Sequence, residues 1–155
     1  MTLELGRVTD RKPPFKYAAL TRVGFSDTDA QGIVYYGRYM PYFDLARVEY
    51  VRHLELLFQG NDGRQFVTRA TSVEYHAPAR FDDLLEVFVR TRRIGRTSVT
   101  SAFAVHRVAD DDLMCVAEQT LVFVDLAARR PVAVPETFRA PIREFEGDDL
   151  EEEPE

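Results

Sequence analysis

The sequence predicts a two-layer α+β domain in which one long amphipathic helix packs on an antiparallel sheet of about five strands. Two observations carry this prediction: an apolar stripe at helical spacing after residue 39, and four segments of period-two alternation between residues 65 and 125. A chain of 155 residues with 45% hydrophobic content suits one domain with a single core.

The first predicted elements are a short strand at residues 17–25, the loop "SDTDAQG" and a helix that begins near Tyr39. Pro41 is tolerated in the first helical turn. Gly60, which is followed by the turn-forming residues 61–63, is the predicted stop. The stripe that predicts the buried helix face consists of Phe43, Ala46, Tyr50, Leu54 and Leu57.

Four strands in an antiparallel meander are predicted after the helix, within "QFVTRATSVEYHAPA", "LLEVFVRTRR", "TSVTSAFAVHRV" and "LMCVAEQTLVFVD". Pro78 closes the first of them, and Gly95 and residues 110–112 mark turns. Apolar residues occupy both faces of these strands, whereas one helix covers only one face of a sheet. We therefore expect a homodimer joined edge to edge along the sheets, with a tetramer as the alternative.

Charge is distributed unevenly along the chain. Residues 144–155 contain eight of the 26 acidic residues and none of the 20 basic ones, so the rest of the chain is close to neutral. This balance argues against a nucleic-acid-binding protein. The tail is expected to be disordered, dispensable and separate from a single domain at residues 1–143.

The motif "DTDAQGIVYYGRY" gives the chain a resemblance to a known family. Together with "LARVEYVRHL", "YHAPARFDDLLEV" and "RIGRTSVTSAF", it resembles the hot-dog-fold acyl-CoA thioesterases of the 4-hydroxybenzoyl-CoA thioesterase-like group, which includes the thioesterase associated with the Tol–Pal cluster. The resemblance covers about residues 17–140. The motif residues that carry it are Asp27, Asp29, Gly32, Val34, Tyr35, Tyr36 and Tyr39.

The resemblance implies a catalytic site at a subunit interface. It identifies Asp29 as the catalytic carboxylate and the backbone amide of Tyr36 as the donor to the thioester carbonyl. A carboxylate can attack a thioester or activate water, and an N–H group at a helix start can stabilise the oxyanion. Gly32, Tyr35 and Tyr39 are expected to contribute to substrate binding.

A second group of residues is expected to hold the nucleotide end of coenzyme A. Arg92, Arg93, Arg96, Thr97 and Ser98 cluster at a predicted hairpin turn, and guanidinium and hydroxyl groups suit phosphate oxygens. An ordinary solvated hairpin tip explains the same pattern equally well.

The sequence thus predicts an acyl-CoA thioester hydrolase that uses no metal or other cofactor. Coenzyme A is not counted as a cofactor, because it is part of the substrate. A hot-dog dehydratase or hydratase and a non-catalytic acyl-CoA-binding module are the alternatives. His53, His76 and His106 are expected to be structural, as is Asp27. Cys115 is expected to be a buried apolar residue. With one cysteine, no apolar run of membrane length and no apparent secretion signal, we expect a cytoplasmic protein.

Overall fold

The computed structural model describes residues 4–57 and 63–154. Within these residues a largely antiparallel sheet packs against one long helix, as predicted. The elements are, in chain order, β1 (Gly6–Val8), β2 (Tyr17–Arg22), α1 (Tyr39–His53), β3 (Arg64–Tyr75), β4 (Leu84–Ile94), β5 (Ser98–Arg107), β6 (Leu113–Asp125), β7 (Arg130–Pro131), α2 (Glu136–Glu146) and β8 (Glu151–Glu152).

The described sheet has eight strands, so the expected count of about five was too low. The three extra strands β1, β7 and β8 contain only two or three residues each. Segments this short cannot show the alternation over four or more residues by which a strand is recognised in sequence.

Helix α1 packs on the sheet through the predicted stripe. Phe43, Ala46 and Tyr50 are at most 2% exposed, and they join the main core cluster. Leu54 and Leu57 follow the end of the helix instead of extending its buried face.

Helix α1 ends at His53, earlier than predicted. The N–H groups of Glu55 and Leu56 donate to carbonyls of the last helical turn at 3.0 and 2.8 Å, and Glu55 has a φ of 61°. This is a Schellman termination with glutamate where glycine is usual, and so no stop signal is visible in the sequence at this point. The predicted stop, Gly60, lies outside the described residues.

The strand order corrects the predicted four-strand meander. Strands β4, β5 and β6 are sequential neighbours, but β3 pairs with β6 instead of β4. Residues 76–83 therefore cross the sheet, and on the way they contact the segments flanking the first loop. The Val34 N–H donates to the carbonyl of Ala79 at 2.8 Å, and the Val23 N–H donates to that of Asp83 at 2.9 Å. The crossing brings the end of β3 close to the start of α1, and β3 is left as an edge strand.

The acidic C-terminal residues are folded onto the body, which corrects the expectation of a disordered tail. Helix α2 extends to Glu146, and β8 pairs with the end of β4 in parallel. Glu146 is 1% exposed, and its Oε2 accepts hydrogen bonds from the Tyr50 hydroxyl at 2.6 Å and the Thr91 N–H at 3.0 Å. No structural boundary therefore falls at residue 143.

A buried arginine binds the tail residues Glu152 and Glu153. Arg139 of α2 is 1% exposed and donates to the carbonyls of Val134, Gly95 and Glu153 at 2.7–2.8 Å. It also forms an ion pair with Glu152 at 3.3 Å. None of the described helices is long and apolar enough to cross a membrane.

Candidate active site

Asp27 is the structural anchor of the loop between β2 and α1. Its Oδ2 accepts hydrogen bonds from the Gly24 N–H at 2.9 Å and the Tyr42 hydroxyl at 2.8 Å, and Oδ1 accepts two from the Arg38 guanidinium. Burial opposes the charge, but the bonds from Gly24, Tyr42 and Arg38 outweigh it, so the pKa of Asp27 is lowered. Both oxygens of this carboxylate serve the loop, which agrees with the structural role expected for Asp27.

Asp29 lies two residues further, in a tight turn that leaves part of its carboxylate free. The Gly32 N–H donates to the Asp29 carbonyl and the Asp29 N–H to that of Ile33, both at 3.0 Å. Oδ1 accepts from the Gln31 N–H at 2.8 Å. Within residues 4–57 and 63–154 no donor contacts Oδ2. Gly32 closes the turn with a φ of 79°, a conformation that glycine adopts without strain.

The Tyr36 amide lies at the start of the 3-10 turn Tyr36–Arg38, which leads directly into α1. The first N–H group of such a turn has no acceptor within the turn. The Tyr35 N–H donates to the Asp27 carbonyl at 2.9 Å, and Tyr75 donates from its hydroxyl to the Tyr36 carbonyl at 3.0 Å. These two bonds hold the peptide groups that precede and follow the one carrying the Tyr36 N–H.

Asp29 and Tyr36 line one surface cleft of about 300 Å³. The cleft also receives residues from the crossing segment after β3, and its lining is Asp29, Gln31, Ile33, Val34, Tyr36, Tyr39, Tyr75, His76, Ala77 and Pro78. The two residues that the resemblance identifies as catalytic thus line the same cleft.

Of the remaining motif residues predicted to bind substrate, Tyr39 lines the cleft and Gly32 and Tyr35 are not among its lining residues. Tyr39 contributes its buried ring to the cleft, and burial raises the pKa of its hydroxyl to about 12. Gly32 shapes the Asp29 turn but does not line the cleft. Tyr35 is 43% exposed and stacks on Tyr36 with ring centroids 4.4 Å apart.

Three polar cleft residues were missed by the sequence analysis. Tyr75 and His76 come from the end of β3, and Gln31 holds Asp29 through its backbone. The segment "YHAPAR" is part of the resemblance, but only the crossing of residues 76–83 shows that it borders the cleft. His76 was expected to be purely structural, whereas its side chain is exposed at the cleft that Asp29 lines.

The predicted nucleotide-binding residues form a separate group at the β4–β5 hairpin. The described lining of the Asp29 cleft contains none of Arg92, Arg93, Arg96, Thr97 and Ser98. The cleft borders the segment just before β4, and the hairpin follows the far end of that 11-residue strand. At ~3.3 Å per residue this separates the two groups by roughly 25–30 Å within one chain.

A β-bulge directs two of these arginines to the same side of the sheet. The pairing of β4 with β5 shifts register between Thr91 and Arg93. Thr91 and Ile94 face the helix side with the core, so Arg92 and Arg93 both face the opposite side. Arg96 is exposed at the turn.

The described residues contain neither a reactive thiol nor a group of side chains placed to bind a metal ion. Cys115 is fully buried, as expected, and burial raises the pKa of its thiol to about 12, so it is not a nucleophile at neutral pH. No group of three or more His, Cys, Asp or Glu side chains in the part of the chain described is placed to hold a metal ion. That the protein needs no metal stays a prediction.

Comparison with known proteins decides the family. The sequence profile of the thioesterase-like superfamily matches residues 23–142. The chain belongs to this superfamily. It is 34% identical over 125 residues to the acyl-CoA thioester hydrolase YbgC of Escherichia coli O6:H1, covering 79% of this chain and 92% of that protein.

Solved structures agree with this assignment. A thioesterase from Thermus thermophilus, complexed with coenzyme A and Zn, is 30% identical with a TM-score of 0.69, covering 83% of this chain and 94% of that one. Slr0204, a 1,4-dihydroxy-2-naphthoyl-CoA thioesterase from Synechocystis, has a TM-score of 0.74 over 81% of this chain and 93% of its own. At 17% identity the second likeness shows the shared hot-dog fold alone.

Proposed function

We propose that this protein is an acyl-CoA thioester hydrolase that converts an acyl-CoA and water into a carboxylic acid and free coenzyme A. The observation that carries the proposal is the cleft that both Asp29 and Tyr36 line, in a chain of the thioesterase-like superfamily. The curated YbgC relatives, named as acyl-CoA thioester hydrolases or thioesterases, support the substrate class.

In the proposed reaction the thioester carbonyl accepts a hydrogen bond from the Tyr36 N–H. This bond strengthens as negative charge develops on the carbonyl oxygen, and therefore it favours the transition state. Asp29 supplies the second function through its free Oδ2. It either attacks the carbonyl carbon, giving a mixed anhydride that water then cleaves, or removes a proton from an attacking water. In both routes the C–S bond breaks and the sulfur leaves as coenzyme A.

We also propose that the complete site forms between two protomers. Strand β3 is a 12-residue edge whose outer side has no strand partner within the described chain. If two copies join antiparallel along β3, the end of β3 in one copy lies beside its start in the other. Because β4 runs antiparallel to β3, the hairpin after β4 lies at the same end of the sheet as the start of β3. The partner's hairpin then shares the sheet end at which Asp29 lies.

Exposed apolar side chains near this edge support the same assembly. Val67 and Tyr75 of β3 and Tyr36, which Tyr75 contacts, are 41–63% exposed. Light scattering at micromolar concentration should show a dimer or tetramer. A lysine in place of Val67 on β3 should shift the protein toward a monomer and reduce turnover, whereas an active monomer of the parent would refute the composite site.

Release of free thiol from a panel of acyl-CoA substrates tests the proposed function. We expect thiol release with at least one aromatic or aliphatic acyl-CoA and no requirement for an added metal or cofactor. Binding of acyl-CoA without thiol release would refute hydrolysis and favour a binding module. The expected cytoplasmic location stays a prediction.

One observation favours a second candidate, a hot-dog dehydratase or hydratase. Such enzymes pair a histidine with the acid, and His76 borders the same cleft as Asp29. A dehydratase would convert a 3-hydroxyacyl thioester to an enoyl thioester without thiol release, and His76→Gln would abolish this reaction. In a hydrolase that depends on Asp29 and Tyr36, His76→Gln should retain most of the thiol release.

A further inference from the structure

The acidic C-terminal segment follows a row of basic side chains that begins at Lys16 and continues along β4. Lys16 pairs with Asp149 at 2.8 Å, and Arg90 donates to the carbonyl of the same residue at 3.2 Å. Further along, Arg93 pairs with Glu153 at 2.8 Å. The segment thus contacts one of the predicted phosphate-binding arginines directly.

Arg92 contacts acids on two sides. Its Nε lies 2.8 Å from Glu118 of β6, and its Nη1 lies 3.6 Å from Glu151 of the tail. Both Arg92 and Arg93 are therefore neutralised within this chain, and the tail supplies an acid to each. The Arg96 side chain at the turn is exposed.

The acids of this segment serve two different purposes because extended residues alternate in direction. Glu152 points toward α2, where it accepts from Arg143 at 2.7 Å and pairs with buried Arg139. Glu151 and Glu153 point toward the arginines of β4, and their side chains are 67% and 54% exposed. Glu152 holds the segment in place. Its two neighbours form solvent-exposed ion pairs with the arginines, which another anion can replace.

We propose that Glu151 and Glu153 compete within the chain for Arg92 and Arg93, and so lower the affinity for thioesters that carry the nucleotide of coenzyme A. The proposal rests on the proposed function and on the expectation that these arginines bind the phosphates of coenzyme A. A phosphate monoester carries more charge than a carboxylate and forms the same paired bonds with arginine, so the nucleotide can displace the exposed acids. A thioester of pantetheine, which lacks the nucleotide, is not subject to this competition.

The test uses the full chain with both acids neutralised, Glu151→Gln with Glu153→Gln. The matched control is Glu144→Gln with Asp148→Asn, which makes the same charge change at two exposed positions of the same region. Calorimetry with free coenzyme A and with pantetheine gives Kd, and thiol release from an acyl-CoA and the matching acyl-pantetheine gives kcat and KM. Melting temperatures confirm that each variant is folded.

We expect the Kd for coenzyme A to fall about three- to tenfold in the first variant, the scale of two exposed ion pairs. KM for acyl-CoA should fall with it, while kcat and the values for the pantetheine compounds stay unchanged. Adding Arg93→Gln should cancel most of the gain. An unchanged Kd for coenzyme A, or an equal change in the control, would overturn the inference. If the parent hydrolyses neither thioester, the proposed function fails, and the Kd comparison still decides the competition.

Discussion

Removal of the Glu146 carboxylate should destabilise the fold although the residue lies in the acidic C-terminal region. Glu146→Ala leaves the Tyr50 hydroxyl and the Thr91 N–H without their acceptor, and both donors are buried between α1, β4 and α2. An unsatisfied buried polar group costs about 1–3 kcal/mol. The two groups together predict a loss of about 2–6 kcal/mol, a large share of the ~5–15 kcal/mol that stabilises a typical domain.

Urea unfolding at pH 7, followed by far-ultraviolet circular dichroism, measures this loss. Glu144→Ala is the control, because Glu144 lies two residues earlier on the same helix and is exposed. Glu146→Gln is the second comparison, since its amide oxygen can accept both bonds without placing a charge in the interior. It should be close to the parent in stability. If Glu146→Ala unfolds at the same urea concentration as Glu144→Ala, the docking of the C-terminal region is refuted.

Three further predictions concern the protonation of Glu146, the Asp27 hydrogen bonds and the Tyr75 hydroxyl. Burial raises the pKa of Glu146 despite the bonds from Tyr50 and Thr91, so the folded state holds this proton more tightly than the unfolded state. The part of its stabilisation that depends on the bound proton should therefore be lost as pH rises from about 4.5 through the folded pKa, and Glu146→Gln should remove that part of the pH dependence of the urea midpoint. Asp27→Asn weakens bonds that join the loop to Arg38 and α1, and it should lower the free energy of unfolding by about 1–3 kcal/mol in the same urea assay. Tyr75→Phe removes the bond to the Tyr36 carbonyl but keeps the ring; it should lower kcat for thiol release while the melting temperature stays nearly unchanged.

The elements that the sequence predicted are those whose burial shows in local periodicity. Phe43, Ala46 and Tyr50 recur at helical spacing because they face one sheet, and the long strands alternate for the same reason. The end of α1 was mispredicted because Glu55 adopts the left-handed conformation that usually indicates glycine. The place of β3 beside β6 depends on the path of residues 76–83, which no local pattern encodes.

The acidic C-terminal region shows the limit of interpreting composition alone. A run of glutamates predicts a solvated, disordered segment because it offers little apolar surface. Here Phe138, Ile142 and Phe145 give α2 an apolar face at helical spacing, a signal that was present but was overlooked. The ion pairs of Glu151 and Glu153 are with arginines about 60 residues earlier, and such pairing cannot be inferred from either segment alone.

For the site, the resemblance identified a segment whose geometry suits the proposed chemistry. Asp29 and Tyr36 border one cleft because Gly32 turns the chain and Asp27 ties the loop to α1. Tyr75 and His76 were missed because they lie far from the motif in sequence and come close to it only in the folded chain. The arginine hairpin was expected to hold the nucleotide end of the substrate; within one chain it lies at the far end of β4 from the cleft, and its role stays a prediction.

The kcat of Asp29→Asn for thiol release at saturating acyl-CoA tests the central claim most directly. Asparagine keeps the size of the side chain and can accept the bond from the Gln31 N–H, but it can neither attack the thioester nor take a proton from water. We expect kcat to fall by on the order of 10²-fold or more while the melting temperature and acyl-CoA binding stay close to the parent. A folded Asp29→Asn protein with the kcat of the parent would contradict it.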